Sequence, residues 1–324
     1  MISNFIHKRI SFFLFLFLFL IVSCVSREGD GGAKSKTKFI YKPVVINGVK
    51  YTDQDINQAE SVLQLKNTLK LITWNIQDLG QTKNAEEIAF IVDVLKDFDI
   101  VAIQEVVAKH PAGAQKVAQI ADELNRKGAK WDYRISDPTK SPSVYMSERY
   151  AYLWKTSKID IQGRAYLDKE LAEEIVREPY IAEFKEKSTG YKFHVVNFHS
   201  RKHDDNPELE IIHFKNYQER LNTDKLLIVG DFNLNEKHEV WNNLYVQGFK
   251  SAVINQKTTL KRKCGYGSYR SHAIDNIYYS KQVKAVNTGV VDYIQNCENL
   301  APARRISDHL PVFIEFNIES NNND

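Results

Sequence analysis

Short apolar runs alternate with amphipathic segments along most of the chain. Apolar or β-branched runs predict strands over residues 69–74, 100–104, 151–154, 193–198, 226–229, 274–279 and 312–316. Between these runs, apolar residues recur at helical spacing over residues 88–95, 117–124 and 209–217. Strands with interspersed helices indicate a sheet-based α/β domain whose helices cover the sheet faces.

The first 23 residues have the pattern of an export signal. A short basic region, His7-Lys8-Arg9, precedes an almost unbroken Phe/Leu run over residues 10–22. That run is shorter than the roughly 20 apolar residues of a membrane-spanning helix, which is typical of a signal peptide. It ends in Ile21-Val22-Ser23-Cys24, which resembles a bacterial lipobox. The resemblance implies lipidation of Cys24; the alternatives are an uncleaved anchor or a conventional secretory signal.

The rest of the chain divides by composition. Residues 24–38 are rich in Gly, Ser and Lys and predict a flexible tether. Residues 39–67 predict an accessory element, with a hairpin at Asn47-Gly48 and a short helix over 53–65. Residues 68–318 form the main predicted domain, and residues 319–324 are a polar tail.

Charge and cysteine content bear on which cellular compartment and which binding partners the sequence predicts. The chain has 44 Lys and Arg against 41 Asp and Glu, so a formal charge of +3 does not by itself attract nucleic acid. A lipid anchor would place the protein in the cell envelope, outside the cytoplasm, where disulfides persist. Cys264 and Cys297 would then be either bridged or two separate buried thiols. Nothing in the sequence implies a protein partner, and we expect a monomer.

Polar side chains gather where the predicted strands end. They are Asn75, Glu105, His199, Asp231, Asn233, Asp275, Asp308 and His309. Taken singly, each is typical of a turn, a helix cap or a solvated loop. Together they supply carboxylate and amide oxygens, which suit Mg²⁺, Mn²⁺ or Ca²⁺, and two histidines suited to acid–base chemistry. Zinc is disfavoured because these residues show no Cys pair or His-x₃-His spacing.

Several short motifs carry a family resemblance. Residues 69–317 resemble the endonuclease/exonuclease/phosphatase superfamily in Trp74-Asn75-Ile76, Ile103-Gln104-Glu105-Val106, Gly230-Asp231-Phe232-Asn233 and Ser307-Asp308-His309. The pancreatic-type deoxyribonuclease branch is resembled in Gly80-Gln81-Thr82-Lys83, Glu148-Arg149-Tyr150, Arg177-Glu178-Pro179 and His199-Ser200. The resemblance implies an α/β fold in four layers, a two-sheet sandwich flanked by helices.

The resemblance also implies a role for each site residue. The expected ligands of a divalent cation, Mg²⁺ first with Mn²⁺ or Ca²⁺ as alternatives, are Asn75, Glu105, Asp231 and Asp308. Asp231 would alternatively orient the phosphate site, and Asp308 would alternatively position its neighbour His309. The expected acid–base couples are His199 with Glu148 and His309 with Asp275. The residues expected to bind the phosphate are Arg177 and Asn233.

The chain departs from the deoxyribonuclease branch where that branch contacts the minor groove. Val107 replaces an arginine, and Met146 replaces a tyrosine, with Tyr145 one position earlier. Basic residues adjoin the motifs and would contact a polyanion backbone: Arg201, Lys202, Lys257, Lys261, Arg262, Lys263, Arg270, Arg304 and Arg305. Tyr266 and Tyr269 would either stack on exposed bases or pack locally.

The interpretation that best joins these features is a lipid-anchored, divalent-metal-dependent endonuclease. It would hydrolyse phosphodiester bonds of double- or single-stranded DNA with low sequence specificity. One alternative is a sphingomyelinase-like or other phosphoesterase of the same fold, although no exposed aromatic hairpin is evident beside the site. A further alternative is a non-catalytic surface-binding lipoprotein.

Overall fold

The computed structural model describes residues 44–46, 49–51 and 67–319. The predicted signal peptide, Cys24, the tether, the helix over 53–65 and residues 320–324 lie outside these ranges. The chain forms two units, residues 1–57 and 58–324. In the first unit, β1 (Val44–Ile46) pairs antiparallel with β2 (Val49–Tyr51), the pairing that the Asn-Gly signal predicts. Across the described ranges, no helix is both long and apolar enough to cross a membrane.

The second unit is built on two mixed six-stranded sheets. Sheet A has the order β11 (Lys250–Ser251), β14 (Asp275–Tyr279), β10 (Leu226–Asp231), β9 (Lys192–His199), β8 (Tyr180–Glu186) and β7 (Ile159–Leu167). Sheet B has the order β15 (Lys284–Val290), β16 (Val312–Asn317), β3 (Thr68–Leu79), β4 (Ile100–Val107), β6 (Glu148–Lys155) and β5 (Trp131–Ile135). Within the two sheets, β9 with β10 and β3 with β4 are parallel neighbours, and the other neighbouring strands are antiparallel.

Helices and a separate hairpin complete this unit. The α-helices are α1 (Ala85–Leu95), α2 (Ala112–Arg126), α3 (Glu208–Ile211), α4 (Tyr217–Arg220), α5 (Asn242–Val246) and α6 (Leu300–Ile306). Single 3₁₀ turns occur at Lys169–Leu171, His203–Asp205, Ile212–Asn216, Glu239–Trp241 and Cys297–Asn299. A small antiparallel hairpin consists of β12 (Leu260–Gly265) and β13 (Ser268–Arg270).

The core explains the near-continuous apolar runs of the central strands. On β3, Leu69 and Leu71 pack in the layer between the two sheets, whereas Ile72 and Trp74 pack with residues of α1 and α2 on the outer face. On β10, Leu227 and Val229 likewise face the layer between the sheets, while Leu226 and Ile228 pack outward. Both faces of these strands are therefore buried, as in sheets covered by helices. The predicted four-layer α/β sandwich is confirmed.

All seven predicted strands are present, but the edge strands of both sheets and the interior strand β8 were not predicted. β7 is an edge strand of sheet A and carries Gly163 and exposed Arg164, so it lacks the apolar run of a central strand. The helical pattern over residues 209–217 instead forms α3, a 3₁₀ turn and α4. Phe214 and Tyr217 are fully buried there, so tertiary packing sets this backbone more than helix propensity does.

The carboxylate of Glu186, the last residue of β8, leads to a prediction about stability. Both Glu186 carboxylate oxygens accept hydrogen bonds from the following turn, including Ser188 N at 2.9 Å and Thr189 N at 2.7 Å. Burial opposes the charged form, but these donors lower the pKa of Glu186 below its usual value. We therefore expect Glu186→Gln to lower the free energy of unfolding by about 1 kcal/mol at neutral pH.

The pH dependence of that loss provides the check. A lowered folded-state pKa stabilises the fold above the carboxyl's unfolded pKa, and this stabilisation disappears as the pH falls through the folded pKa. Urea unfolding of wild type and Glu186→Gln should thus differ at neutral pH and converge in acid. Glu219→Gln, at an exposed position of α4, is the matched control. A constant difference across this pH range would contradict the assignment.

Candidate active site

Three candidate residues form a row at one edge of sheet A. Asp231, at the end of β10, lies opposite His199 on β9 and opposite Asp275 on β14. The parallel pairing of β9 and β10 makes both strands end at the same edge, and the antiparallel β14 starts there. The three side chains therefore share one edge of the sheet, and all three are buried.

A glycine before Asp231 permits the close approach of β10 to β9. Gly230 has φ +137°, a conformation that L side chains rarely adopt. A Cβ atom at this position would lie 1.9 Å from the Phe198 carbonyl oxygen. The Gly-Asp-Phe-Asn motif thus has a backbone reason for its glycine, which brings Asp231 directly beside His199.

Sheet B presents a matching row at the corresponding edge. Asn75 lies within β3 rather than at its end as predicted, because the strand continues to Leu79 through a register irregularity after Asn75. Glu105 on β4 has φ +60°, a left-handed conformation at a second irregularity, between β4 and β6. Such strained backbone costs about 1–3 kcal/mol and concentrates at functional sites.

Three side-chain contacts join the two rows across the sandwich. His199 Nδ1 lies 2.9 Å from Glu148 Oε2, and His309 Nδ1 lies 3.0 Å from both Asp275 carboxylate oxygens. Between these pairs, Asn75 Nδ2 donates to Asp231 Oδ2 at 3.1 Å. Each contact links a residue of sheet A to one of sheet B or of the loop before β16. The two predicted His–carboxylate couples therefore form on either side of a central Asn–Asp contact.

The two histidines face a common point. Because Nδ1 of each ring faces its carboxylate, Nε2 is the atom directed toward the centre of the site. His199 Nε2 lies 3.5 Å, and His309 Nε2 3.7 Å, from the same Asp231 Oδ2 atom. Two imidazoles fixed in this way can act as a proton acceptor and a proton donor on one bound group.

Charge pairing offsets burial at both couples. Burial alone would lower the pKa of His199, but the Glu148 carboxylate raises it above its usual value. Burial would also lower the pKa of His309, and Asp275 and Asp231 raise it. Burial would raise the pKa of Glu148, but His199 and Arg177 hold it below its usual value. Glu148 is therefore a stable anionic partner for its imidazole.

The centre of the site has oxygen atoms that could bind a hard cation. Asn75 is almost fully buried, and among the described residues its Oδ1 atom has no hydrogen-bond partner. Its Nδ2 atom donates to Glu105 Oε1 at 3.0 Å as well as to Asp231. A buried amide oxygen without a partner, on a side chain whose nitrogen contacts two carboxylates, fits a divalent cation. Asp231, Asp275 and His309 form an overlapping group whose ligand atoms lie within 4.8 Å of one another.

Asp308 and Asn233 lie at the margin of this centre. Asp308 Oδ1 is 3.9 Å from His309 Nε2, and Arg304 Nη2 is 3.8 Å from the other Asp308 carboxylate oxygen. Asn233 has φ +53°, and its backbone N donates to Asp231 Oδ1 at 3.0 Å. The cation-ligand role of Asp308 and the phosphate contact of Asn233 stay predictions.

Arg177 contacts the His199–Glu148 couple and the backbone next to it. It is buried, and its Nη1 atom donates to the carbonyls of Ser200 at 2.8 Å and His199 at 3.3 Å. Its Nε atom lies 3.3 Å from Glu148 Oε2. These contacts place Arg177 at the His199–Glu148 couple, and its phosphate contact stays a prediction.

Several supporting residues were missed in the sequence. Thr258 Oγ1 donates to Asp275 Oδ2 at 2.7 Å, and Ser307 Oγ donates to the Asn75 carbonyl at 2.6 Å. Gln104 donates to the Asn197 side chain across the buried space between the sheets. Thr258 had no motif to mark it, whereas Gln104 and Ser307 stood inside recognised motifs and each could have been given a role.

Two further contacts bear on the sequence predictions. Cys264 and Cys297 are joined by a disulfide, with Cα atoms 5.8 Å apart, which resolves the two alternatives for these thiols. Near the expected minor-groove positions, Lys109 Nζ lies 5.2 Å from the ring centroid of Tyr145, which is 82% exposed. A basic–aromatic pair is therefore present close to the positions where Val107 and Met146 depart from the branch.

Known proteins are similar to this chain in sequence and in fold. A deoxyribonuclease from Thioalkalivibrio is 27% identical over 271 residues, covering 76% of this chain and 71% of that protein. Deoxyribonuclease-1 from Bos taurus is 30% identical over 182 residues, covering 53% of this chain and 63% of the relative. A solved endonuclease/exonuclease/phosphatase family structure from Bacteroides thetaiotaomicron superimposes with a TM-score of 0.58 at 16% identity, covering 78% and 98% of the two chains.

The family assignment rests on the length of the match as well as on the site. The sequence profile of the Endonuclease/Exonuclease/phosphatase family matches residues 72–309, which is more than half of the chain. The matched range includes both histidines, both partner carboxylates and the Asn–Asp contact between them. The chain therefore belongs to the endonuclease/exonuclease/phosphatase family of phosphoesterases, with distant similarity to deoxyribonucleases.

Proposed function

We propose that this protein is a divalent-metal-dependent endonuclease that hydrolyses DNA phosphodiester bonds with low sequence specificity. The observation that supports this most directly is the convergence of two carboxylate-paired histidines on Asp231 Oδ2, at 3.5 and 3.7 Å. Similarity to deoxyribonucleases, at 27–30% identity for the relatives given above, supports DNA as the substrate.

The proposed reaction divides proton transfer between the two couples. One histidine accepts a proton at Nε2 from the attacking water, and the other donates its Nε2 proton to the leaving 3′ oxygen. Glu148 and Asp275 hold Nδ1 of each ring and stabilise the imidazolium form. The phosphorus–oxygen bond to the new nucleophile forms as the bond to the 3′ oxygen breaks.

A divalent cation, Mg²⁺ first, completes the proposed chemistry. Asn75 Oδ1, Glu105 and Asp231 are the groups that would hold it, with Asp308 as a further candidate. A cation bound there neutralises charge on the scissile phosphate. We expect low sequence specificity because the basic side chains near the site would contact phosphates and the exposed aromatic rings would contact base faces. Neither kind of contact distinguishes one base pair from another.

We also propose that Cys24 is lipidated and that the enzyme works in the cell envelope. The lipobox-like sequence supports the anchor, and the Cys264–Cys297 disulfide fits an oxidising compartment outside the cytoplasm. Mass spectrometry of the N-terminal peptide from membrane fractions would test this, since a diacylated Cys24 has a distinct mass. Retention of an intact Met1 would contradict the proposal.

Plasmid nicking tests the proposed activity directly. The purified full-length protein is incubated with supercoiled plasmid in Mg²⁺, Mn²⁺ or Ca²⁺, with EDTA as one control and His309→Ala as the other. We expect open-circular and then linear DNA, in a metal-dependent reaction that both controls abolish. If folded protein cleaves no nucleic acid but hydrolyses sphingomyelin or a sugar phosphate, the phosphoesterase alternative replaces the nuclease.

A further inference from the structure

A short basic hairpin lies beside the His309 side of the active site. Strands β12 and β13 form it, with Gly265 opposite Ser268 across a two-residue turn. We call residues 260–270 the basic hairpin. No exposed aromatic hairpin was evident beside the site in the sequence, whereas the structure has one, with Tyr266 exposed in its turn.

The base of the basic hairpin is hydrogen-bonded to the loop that carries His309. Leu260 N donates to the Asp308 carbonyl at 2.8 Å, and Leu310 N donates to the Thr258 carbonyl at 2.6 Å. These bonds lie on both sides of His309. The same Thr258 donates its hydroxyl to Asp275, the partner of His309. The hairpin therefore begins at the reacting groups and extends away from them.

One side of the basic hairpin is braced against the domain. Cys264 is bonded to Cys297 in the turn before α6, and Arg304 of α6 donates to the Leu260 carbonyl at 2.9 Å. Arg270 Nη2 lies 2.7 Å from Asp292 Oδ2, and the Tyr269 hydroxyl donates to the same carboxylate. Tyr269 thus packs locally, and the hairpin is held in a fixed position.

β12 and the tip of the hairpin also carry exposed side chains. Arg262 and Lys263 are exposed, and neither has an ion-pair partner among residues 67–319. Tyr266 is fully exposed at the tip. Its φ of +51° and the +72° of Gly267 match a type I′ turn, in which Asn is far more common than Tyr. A bulky ring in this strained position, without a partner among residues 67–319, indicates that it contacts another molecule.

Cations and an aromatic ring are held together on this rigid element. The whole chain is nearly balanced in charge, at +3, so the unpaired cations of the hairpin are a local feature. Arg and Lys contact backbone phosphates, and an exposed aromatic ring stacks on bases of a single strand. A bilayer would instead require a larger apolar surface, whereas the tip has one tyrosine between Gly265 and Gly267.

We propose that the basic hairpin binds the nucleic-acid strand next to the scissile phosphate. Arg262 and Lys263 contact its phosphates, and Tyr266 stacks on an unpaired base. This inference rests on the proposed nuclease function and assigns to it a preference for substrates with accessible bases.

Binding measurements on matched variants test the proposal. Each variant is made in the full-length His309→Ala background, and binding of fluorescein-labelled single-stranded and duplex DNA of equal length is followed by anisotropy. Tyr266→Asn removes the ring but suits the turn, and Tyr266→Phe keeps the ring. Arg262→Gln combined with Lys263→Gln removes two charges. Lys281→Gln combined with Lys284→Gln, beyond the opposite end of β14, is the charge-matched control.

The two kinds of variant have different expected signatures. Tyr266→Asn should weaken single-strand binding about tenfold with a smaller effect on duplex, and Tyr266→Phe should retain single-strand affinity. Neutralising Arg262 and Lys263 should weaken both forms and reduce the slope of log Kd against log salt by about 1.4 to 1.8. The Lys281 and Lys284 control should leave affinity and slope unchanged. Circular dichroism and melting temperature verify that every variant is folded.

The outcomes separate this inference from the proposed function. If wild type nicks plasmid but the hairpin variants bind both DNA forms as the parent does, the hairpin inference fails alone. If Tyr266→Asn loses binding to anionic phosphatidylserine vesicles while DNA binding is unchanged, the hairpin is a membrane contact and the inference is wrong. If wild type neither nicks nor binds nucleic acid, the proposed function fails first.

Discussion

Replacing either His199 or His309 by Ala is expected to lower the rate of plasmid nicking by about 10²–10⁴-fold. In each couple the histidine Nε2 faces Asp231 and transfers the proton. Loss of either ring therefore removes one of the two proton transfers. The double variant should be little slower than the slower single variant, because residues that act as a unit are not additive. Initial rates on supercoiled plasmid at saturating Mg²⁺ measure all three.

Structural damage must be separated from lost chemistry in this experiment. Both rings are largely buried beside a carboxylate, so alanine removes the imidazole that pairs with Glu148 or Asp275. His309→Gln and His199→Gln keep a polar side chain there and should be as inactive as alanine if proton transfer is the role. His213→Ala, in the 3₁₀ turn on the far side of sheet A, should be fully active. Near-wild-type nicking by either glutamine variant would overturn the assignment.

The central strands and their polar ends were predictable from sequence for a physical reason. Strands buried on both faces read as apolar runs, so the positions of β3, β4, β9 and β10 were evident. Polar residues directly after such runs, such as Asp231 and His199, must lie at a sheet edge. The register that sets them side by side follows from parallel pairing, and the structure shows it.

What sequence could not supply depends on contacts between distant segments. The sequence shows no partner for Arg177. In the fold it is buried against the carbonyls of His199 and Ser200 and against Glu148. Thr258 supports Asp275 only because residues 257–260 return beside the site. The basic hairpin lacks apolar alternation and is held by a disulfide and an ion pair, so periodicity gave no signal for it.

Substitutions at the proposed cation site are the second change that we expect to have a large effect on nicking. Glu105→Gln and Asp231→Asn are each expected to lower nicking by about 10²–10⁴-fold, because each removes a negative charge beside the Asn75 side-chain amide. Wild type should also melt at a higher temperature as Mg²⁺ or Mn²⁺ is added, since a ligand that binds the folded state stabilises it. That metal-dependent shift should be lost or greatly reduced in both variants.

The melting temperature in EDTA distinguishes a cation site from a structural carboxylate cluster. Several carboxylates lie close together here, and Asp231 adds to the burial that raises the pKa of Asp275. Without metal, removing one negative charge relieves this repulsion, so Asp231→Asn should melt at the wild-type temperature or above it. Glu219→Gln should show wild-type activity and the full metal shift. If Asp231→Asn instead melts lower in EDTA and keeps the metal shift, Asp231 serves the fold, and the cation is held elsewhere.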